Sequence, residues 1–221
     1  MRNVHSFSFA GARLTARPSG ALHWGDRNLL VVSDLHLGKS ERIARRNGPL
    51  LPPYEVQDTL RQLQKDILET GAAHVVCLGD SFDDLAAAQA LGEDHRAWIL
   101  RLMTGRRWTW ITGNHDPGAP GLPGDTVDVL TLDALTFCHI ATDLDRAEVS
   151  GHYHPKAAIQ LRGRAISRPC FLRDSRRLIL PAYGTYTGGL RTQDRALADL
   201  MGAGARAILA GQPMVEIPMP R

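Results

Sequence analysis

"RNLLVVSDLHLGK", residues 27–39, decides how the rest of the chain is read. Leu29 to Val32 are four consecutive apolar residues, the pattern of a strand covered on both faces, and the run breaks into a polar loop at Ser33-Asp34. The same design recurs twice. "AHVVCLGD" (73–80) is a second buried strand ending in Gly79-Asp80, and "RWTWITGNHD" (107–116) is a third ending in Gly113-Asn114-His115-Asp116. Between them, 52–71 reads as a helix: Pro53 suits its first turn, Leu60, Leu63, Ile67 and Leu68 recur at helical spacing, and Gly71 stops it. A second helix is expected over 93–105. Beyond 116 the periodicity shortens to strands near 128–132, 135–140, 147–152, 157–163, 165–172 and 177–182, then a short helix near 195–202 and strands near 206–217. Alternating strand and helix followed by a strand-rich half implies an α/β sandwich. Two facing mixed sheets flanked by helices would form a single domain over residues 1–221.

Composition narrows the setting. The 221 residues suffice for a substantial core, and 43% hydrophobic with 22% charged residues is ordinary for a soluble globular chain. No apolar stretch approaches the ~18 residues of a membrane span, and the N-terminus lacks the apolar segment of a signal peptide. The expected location is cytoplasmic, with no membrane partner. Of 26 basic residues only Lys39, Lys65 and Lys156 are lysine, and the net charge is +3. Arginine clusters at 42/45/46, 106/107, 162/164/168 and 173/176/177 suit phosphate, although a high-GC genome gives the same bias. Cys77, Cys138 and Cys170 form no C-x-x-C pair, and Cys77 and Cys138 sit in apolar runs as small core residues.

The chemistry gathers at strand ends. Asp34-Leu35-His36, Gly79-Asp80, Asn114-His115, His139 and Gly151-His152-Tyr153-His154 each follow an apolar run, and they take five of the nine histidines. Carboxyl ends of neighbouring strands are where α/β sheets bind ligands. Singly, each has an ordinary explanation: a turn carboxylate, a turn after a strand, a hydrogen-bonded core histidine. Together, carboxylate, amide and imidazole make a mixed oxygen and nitrogen donor set, suited to Mn²⁺, Fe or Zn²⁺ and unlike a thiolate zinc site. In "GHYHP" (151–155), alternate residues of an extended segment would point one way, and the glycine would admit close backbone approach.

The ordered set D-x-H, GD-x-x-D, GNHD, a separate His and G-H-x-H over residues 34–154 resembles the binuclear metallophosphoesterases, also called calcineurin-like phosphoesterases. The resemblance implies two divalent metals. Asp34, His36 and His154 would hold one, Asn114, His139 and His152 the other, with Asp80 bridging. Two metals ~3.5–4 Å apart activate a hydroxide that attacks phosphorus in line, so no side-chain nucleophile is required. His115 matches the general acid that protonates the leaving oxygen, and Asp83 the carboxylate that orients it, with Asp84 and Asp116 as competitors for that role. One departure stands out: the separate histidine of this family is usually followed by glycine, whereas Ile140 follows His139. Lys39 and Arg42 are candidates for substrate contact, the alternative being exposed charges at a helix start.

"SDLHLGKSER", "LGDSFDD", "GHYHPKA", "RPCF" and "PAYGTYTGGL" together look like the bacterial ligase-associated DNA damage response endonucleases, the PdeM-like metallophosphoesterases. That narrower resemblance implies a Mn²⁺-dependent phosphodiesterase, a DNA endonuclease acting on single-stranded DNA in repair, in functional association with an ATP-dependent DNA ligase and a helicase. Trp98, Trp108 and Trp110 could stack on bases, although alternation of Trp108 and Trp110 in a strand fits core packing better. Two other functions fit less of the pattern: hydrolysis of a small phosphoester, such as a cyclic nucleotide or a nucleotide-sugar pyrophosphate, and a non-catalytic interaction module. Cleavage of small esters without DNA cleavage would mark the first, and lack of bound metal the second.

Overall fold

The computed structural model of the protein describes residues 3–49, 51–116, 121–142, 146–161 and 164–221, with the side chains of 160, 161, 164 and 165 excluded. Arg162, in one of the arginine clusters, lies outside the described residues. The chain runs β1 (His5–Phe9), β2 (Ala12–Ala16), β3 (Leu22–Trp24), β4 (Leu29–Val32), α1 (Lys39–Arg45), α2 (Glu55–Thr70), β5 (His74–Leu78), α3 (Leu85–Gln89), α4 (Glu93–Met103), β6 (Arg107–Ile111) and β7 (Asp125–Val127). It continues through β8 (Val129–Leu132), β9 (Leu135–Cys138), β10 (Ala147–Ser150), β11 (Lys156–Leu161), β12 (Arg164–Arg173), β13 (Arg177–Ile179), α5 (Arg195–Leu200), β14 (Arg206–Leu209) and β15 (Val215–Pro218).

Both sheets are mixed. In the first, β1 to β7 lie in sequence order, antiparallel up to β4 and parallel from β4 onward. The second has the order β15-β14-β12-β13-β10-β9-β8, with β10 parallel to both β9 and β13, and β11 paired to β12. The two-faced burial expected of the early strands has a direct cause. Leu29, Val31, Val76, Leu78 and Ile111 pack against Phe137, Val149, Phe171, Leu178 and Ile208 of the facing sheet. Their neighbours Leu30, Val32, Val75, Cys77, Trp108 and Trp110 pack against Leu60, Leu63 and Ile67 of α2 and Ile99, Leu102 and Met103 of α4. α5 covers the outer face of the second sheet through Leu197, against Cys170, Leu172 and Leu209.

Several local expectations shift. α2 starts at Glu55, so Pro53 precedes the helix, and Leu68 falls off the apolar stripe at 69% exposure. β6 stops at Ile111, leaving Thr112 to Asp116 as a loop. All three cysteines are free and buried. No helix among the described residues is long and apolar enough to cross a membrane.

One polar cluster ties α2 to the loop after β13. Buried Asp66 accepts hydrogen bonds from Arg17 Nε at 2.7 Å and from Tyr183 Oη at 2.8 Å. Arg17 reaches Glu69 as well. A buried guanidinium stays inside only when paired in this way, because removing one partner from a buried pair costs about 3–5 kcal/mol. The cluster fixes Tyr183, whose backbone then leads onto the loop that carries Asp34.

Candidate metal centre

Every side chain singled out as a donor lies just past the carboxyl end of a parallel strand. Asp34 and His36 follow β4, Asp80 follows β5, Asn114 and His115 follow β6, His139 follows β9, and His152 and His154 follow β10. β4 to β6 belong to one sheet, and β9 and β10 to the other. The strand ends of both sheets therefore open onto one mouth, and two groups of donors meet there. Donor atoms of Asp34, His36 and His154 lie within 4.8 Å of one another, as do those of Asp80, His139 and His152; a third set, His36, Asp83 and His115, overlaps the first at His36.

The backbone makes this convergence by leaving extended geometry. Asp34, His36, Asp80, His152 and His154 have φ of 54°, 45°, 45°, 69° and 46°. Left-handed φ in residues other than glycine costs about 1–3 kcal/mol each and clusters at functional sites. His152 and His154 thus reach the cluster through two left-handed turns, where the sequence suggested an extended segment. Main-chain bonds hold the turns: His36 N donates to Asp80 O at 2.9 Å, Gly151 N to His139 O at 3.0 Å, and Gly184 N to Asp34 O at 3.1 Å. Gly151 does what its position suggested. A Cβ there would lie 1.7 Å from Ser33 Oγ and 2.5 Å from Asp34 Oδ2. At Gly113 a Cβ would meet Asp80 Oδ1 at 2.2 Å.

The first group is closely knit. Asp34 Oδ2 accepts from Ser33 Oγ and from His152 N, the latter at 2.9 Å. Asp34 Oδ1 lies 3.0 Å from His154 Nε2 yet, although buried, has no well-directed hydrogen bond. His154 Nε2 and His36 Nε2 face each other at 3.4 Å. In the second group, His139 Nδ1 lies 2.8 Å from the Leu78 carbonyl, which can only accept, so Nδ1 carries a hydrogen. In the neutral ring Nε2 then bears a lone pair. That lone pair points at Asp80 Oδ2 at 3.3 Å, Asn114 Oδ1 at 3.0 Å and His152 Nδ1 at 3.3 Å. This buried setting demands positive charge, which a proton on His139 or a metal ion can meet, and oxygen with imidazole nitrogen is the donor chemistry of Mn²⁺, Fe or Zn²⁺. The residues present fit two divalent metals.

Electrostatics agree. Burial by itself would raise the Asp80 carboxyl, but the hydrogen bond and charge of His139 outweigh it and bring the pKa down to about 2. Asp34, fully buried, is likewise lowered against its burial by His154 and His139. His139 is raised, because Asp80 and Asp34 outweigh its burial. His152 is lowered by burial and by the neighbouring His139. Both carboxylates are held as anions facing imidazoles.

Asp83 serves two neighbours by two different groups. Its main-chain carbonyl accepts from His115 Nδ1 at 2.9 Å. Its carboxylate turns the other way, with Oδ1 2.8 Å from His36 Nδ1 and 3.7 Å from Lys39 Nζ, and Oδ2 against Arg42 Nε. The sequence pointed to the carboxylate for His115, but three cations and donors already surround it. Lys39 and Arg42 are correspondingly turned inward onto Asp83. The competitors sit elsewhere: Asp84 caps α3 through Ala87 N at 2.7 Å and pairs with Arg45. Asp116 Oδ2 accepts from Ser81 N and Phe82 N, bracing the loop after Asp80. Burial, with Asp80 adding to it, pushes the Asp116 carboxyl up to about 7.

The calcineurin-like phosphoesterase family model matches residues 27–174, from β4 through β12. The chain belongs to this family. It is a hydrolase of phosphoesters, and its family binds two divalent metals, so the non-catalytic alternative falls away. Among solved structures the fold is similar to that of Pseudomonas putida nuclease MPE, at 25% identity and a TM-score of 0.79 over 97% of this chain and 100% of that one. YfcE, a phosphoesterase from E. coli, shares 13% identity at a TM-score of 0.42 over 87% of this chain and 99% of its own. No curated protein sequence matches the chain significantly.

Gly151→Ala tests the close approach at the metallophosphoesterase site. Its methyl must displace Ser33 or Asp34. Overpacking of this kind costs about 1–3 kcal/mol, and misplacing Asp34 should lower phosphodiester turnover roughly tenfold or more. Gly92→Ala, where a Cβ meets nothing within 4 Å, should leave both unchanged. Wild-type melting and turnover for Gly151→Ala would refute the account.

Proposed function

We propose that the protein is a Mn²⁺-dependent endonuclease of single-stranded DNA acting in DNA repair. The reading rests above all on the two donor groups sharing one mouth. It is supported by the likeness, along nearly the whole chain, to a protein named a nuclease. Asp34, His36 and His154 would hold one metal and Asn114, His139 and His152 the other, with Asp80 as the ligand common to both. Bound there, the two ions supply Lewis-acid activation of water and of the phosphoryl oxygen. An all-oxygen-and-nitrogen set without thiolate suits Mn²⁺, and Fe or Zn²⁺ would be accepted by the same donors.

The chain's own residues do the rest. His115 is the general acid. Its Nδ1–H is spent on the Asp83 carbonyl, which leaves Nε2 to carry a proton to the departing oxygen. Its ring stands edge-on to His36 at 5.3 Å, so the proton donor is held against one metal ligand. Asp83 positions both, by carbonyl for His115 and carboxylate for His36, and loss of an acceptor behind a ligating histidine typically changes metal affinity 10–100-fold. Lys39 and Arg42 neutralise that carboxylate rather than reach out to substrate. A cytoplasmic location and a functional association with an ATP-dependent DNA ligase and a helicase go with a repair role.

Metal-stripped protein given Mn²⁺ and circular single-stranded DNA should linearise the circle, and Asp80→Ala should abolish the reaction. A duplex circle and a small aryl phosphodiester run alongside. Hydrolysis of the aryl diester with neither circle cut would overturn the DNA reading and point to a small phosphoester.

His115→Ala should keep both metals and lose turnover on DNA by about 10²–10⁴-fold. An aryl diester, whose leaving group needs little protonation, should lose much less. Equal losses on both substrates would rule out the general-acid role.

A further inference from the structure

The tryptophans offered by the sequence as stacking residues are not available at the site. Trp108 and Trp110 are buried in the core, and Trp98 lies on the α2–α4 flank, donating to Gln64 Oε1 at 2.6 Å. An aromatic residue of a different kind sits on a loop whose two ends are pinned to the mouth. Tyr186, in the stretch "PAYGTYTGGL" (181–190), is 39% exposed and has a left-handed φ of 61°. Among the described residues it makes no hydrogen bond and no ring contact.

The loop that carries it is fastened at both ends to donors of the same metal group. On one side Tyr183 N donates to Ser33 O at 2.8 Å and Gly184 N to Asp34 O at 3.1 Å. Gly184 passes so close that a Cβ would lie 2.0 Å from Leu35 O. On the other side Leu190 N donates to Tyr153 O at 3.3 Å, and a Cβ on Gly189 would lie 2.1 Å from His154 O. The span between is stiffened as well. Thr185 N donates to Thr59 Oγ1 at 3.2 Å, Thr187 Oγ1 to Gly184 O at 3.0 Å, and Lys156 Nζ to Thr187 O at 3.3 Å. Two residues of chain reach at most about 7 Å. Tyr186 therefore stands within that distance of the backbone that brushes Asp34.

A left-handed tyrosine is strained relative to glycine, by about 1–2 kcal/mol, and the part of Tyr186 left open to solvent has no hydrogen-bond or ring partner among the described residues. Glycine is plentiful in this same stretch, at 184, 188 and 189, so the loop readily accommodates it where the backbone needs it. A tyrosine kept in such a conformation beside the metals points to a ligand with a flat apolar face. We propose that Tyr186 is the stacking platform for a base flanking the scissile phosphate. Through it the enzyme would grip single-stranded DNA without reading its sequence, since every base presents a π-face. A base paired in a duplex is stacked on its neighbours and cannot take up this contact, so the same residue would favour single strands. The inference rests on the nuclease reading of the site.

Three substrates decide it: a single-stranded oligonucleotide, the same strand with a run of abasic positions, and a small aryl phosphodiester. On the intact strand with Mn²⁺, Tyr186→Leu should lose about 5- to 100-fold in kcat/KM, the range of one base–aromatic stack, while Tyr186→Phe stays near wild type. On the abasic strand wild type and Tyr186→Leu should be equal. A readout independent of turnover uses an oligonucleotide containing 2-aminopurine in EDTA, whose fluorescence wild type should quench and Tyr186→Leu should not. Undiminished cleavage of the intact strand by Tyr186→Leu would overturn the proposal. So would equal losses on intact and abasic strands, which mark a purely structural residue. Wild type that hydrolyses the aryl diester but neither binds nor cuts the oligonucleotide would bring down the nuclease reading, and Tyr186 with it. Failure of the tyrosine alone leaves the wild-type enzyme cutting DNA.

Discussion

Asp34 and Asp80 are two buried carboxylates at the ends of adjacent parallel strands, and both are held as anions. Buried anions are costly unless surrounded by donors or cations. Nearly everything around the mouth meets that requirement. Ser33 and the backbone of His152 serve Asp34, while the backbone of His115 serves Asp80. His139 and His154 face the remaining oxygens. The facing sheet matters because it delivers those two histidines from β9 and β10, in register with strand ends of the first sheet. The hydrophobic contact between the sheets, from Leu29 and Val76 to Phe137 and Val149, therefore sets the spacing of the donors. Core packing and site geometry are one constraint seen from two sides.

Behind the donors lies a second arrangement centred on Asp83. A single residue touches a metal-group histidine with its carboxylate and the neighbouring His115 with its carbonyl. Moving that backbone would disturb both at once, which ties His115 to the first donor group. Lys39 and Arg42 offset the carboxylate's charge, so α1 is joined to the site electrostatically as well as by chain connection.

Much of this was legible in the sequence, for identifiable reasons. Uninterrupted apolar runs of four residues mark β4 and β5 as strands buried on both faces, while β6 shows through the alternation of Trp108 and Trp110. A polar residue directly after such a run must lie at a strand's carboxyl end, so the donors could be placed before any coordinates. Less legible were β1 to β3, which alternate in type but run only three to five residues and are joined to the sheet one after another through antiparallel pairing, β3 alone meeting β4. Short α1 and α3 lack a full apolar stripe. Left-handed φ at His152 and His154 is hard to read from residue type, because only a few per cent of non-glycine residues adopt it, even though histidine is enriched among them. The same holds for Asp83, which the family resemblance pairs with His115 without telling a carbonyl from a carboxylate. Tyr186 lies in the family-like stretch 181–190 and nothing in its residue type marks it out, since its exposure depends on how the loop after β13 folds back.

The account turns on two metals held in one mouth and shared by Asp80. Anomalous diffraction at the manganese edge, from crystals soaked in Mn²⁺, tests this most directly. Two peaks are expected, one contacted by Asp34, His36 and His154, the other by Asn114, His139 and His152, with Asp80 touching both. A single peak, or two peaks of which Asp80 touches only one, would contradict it.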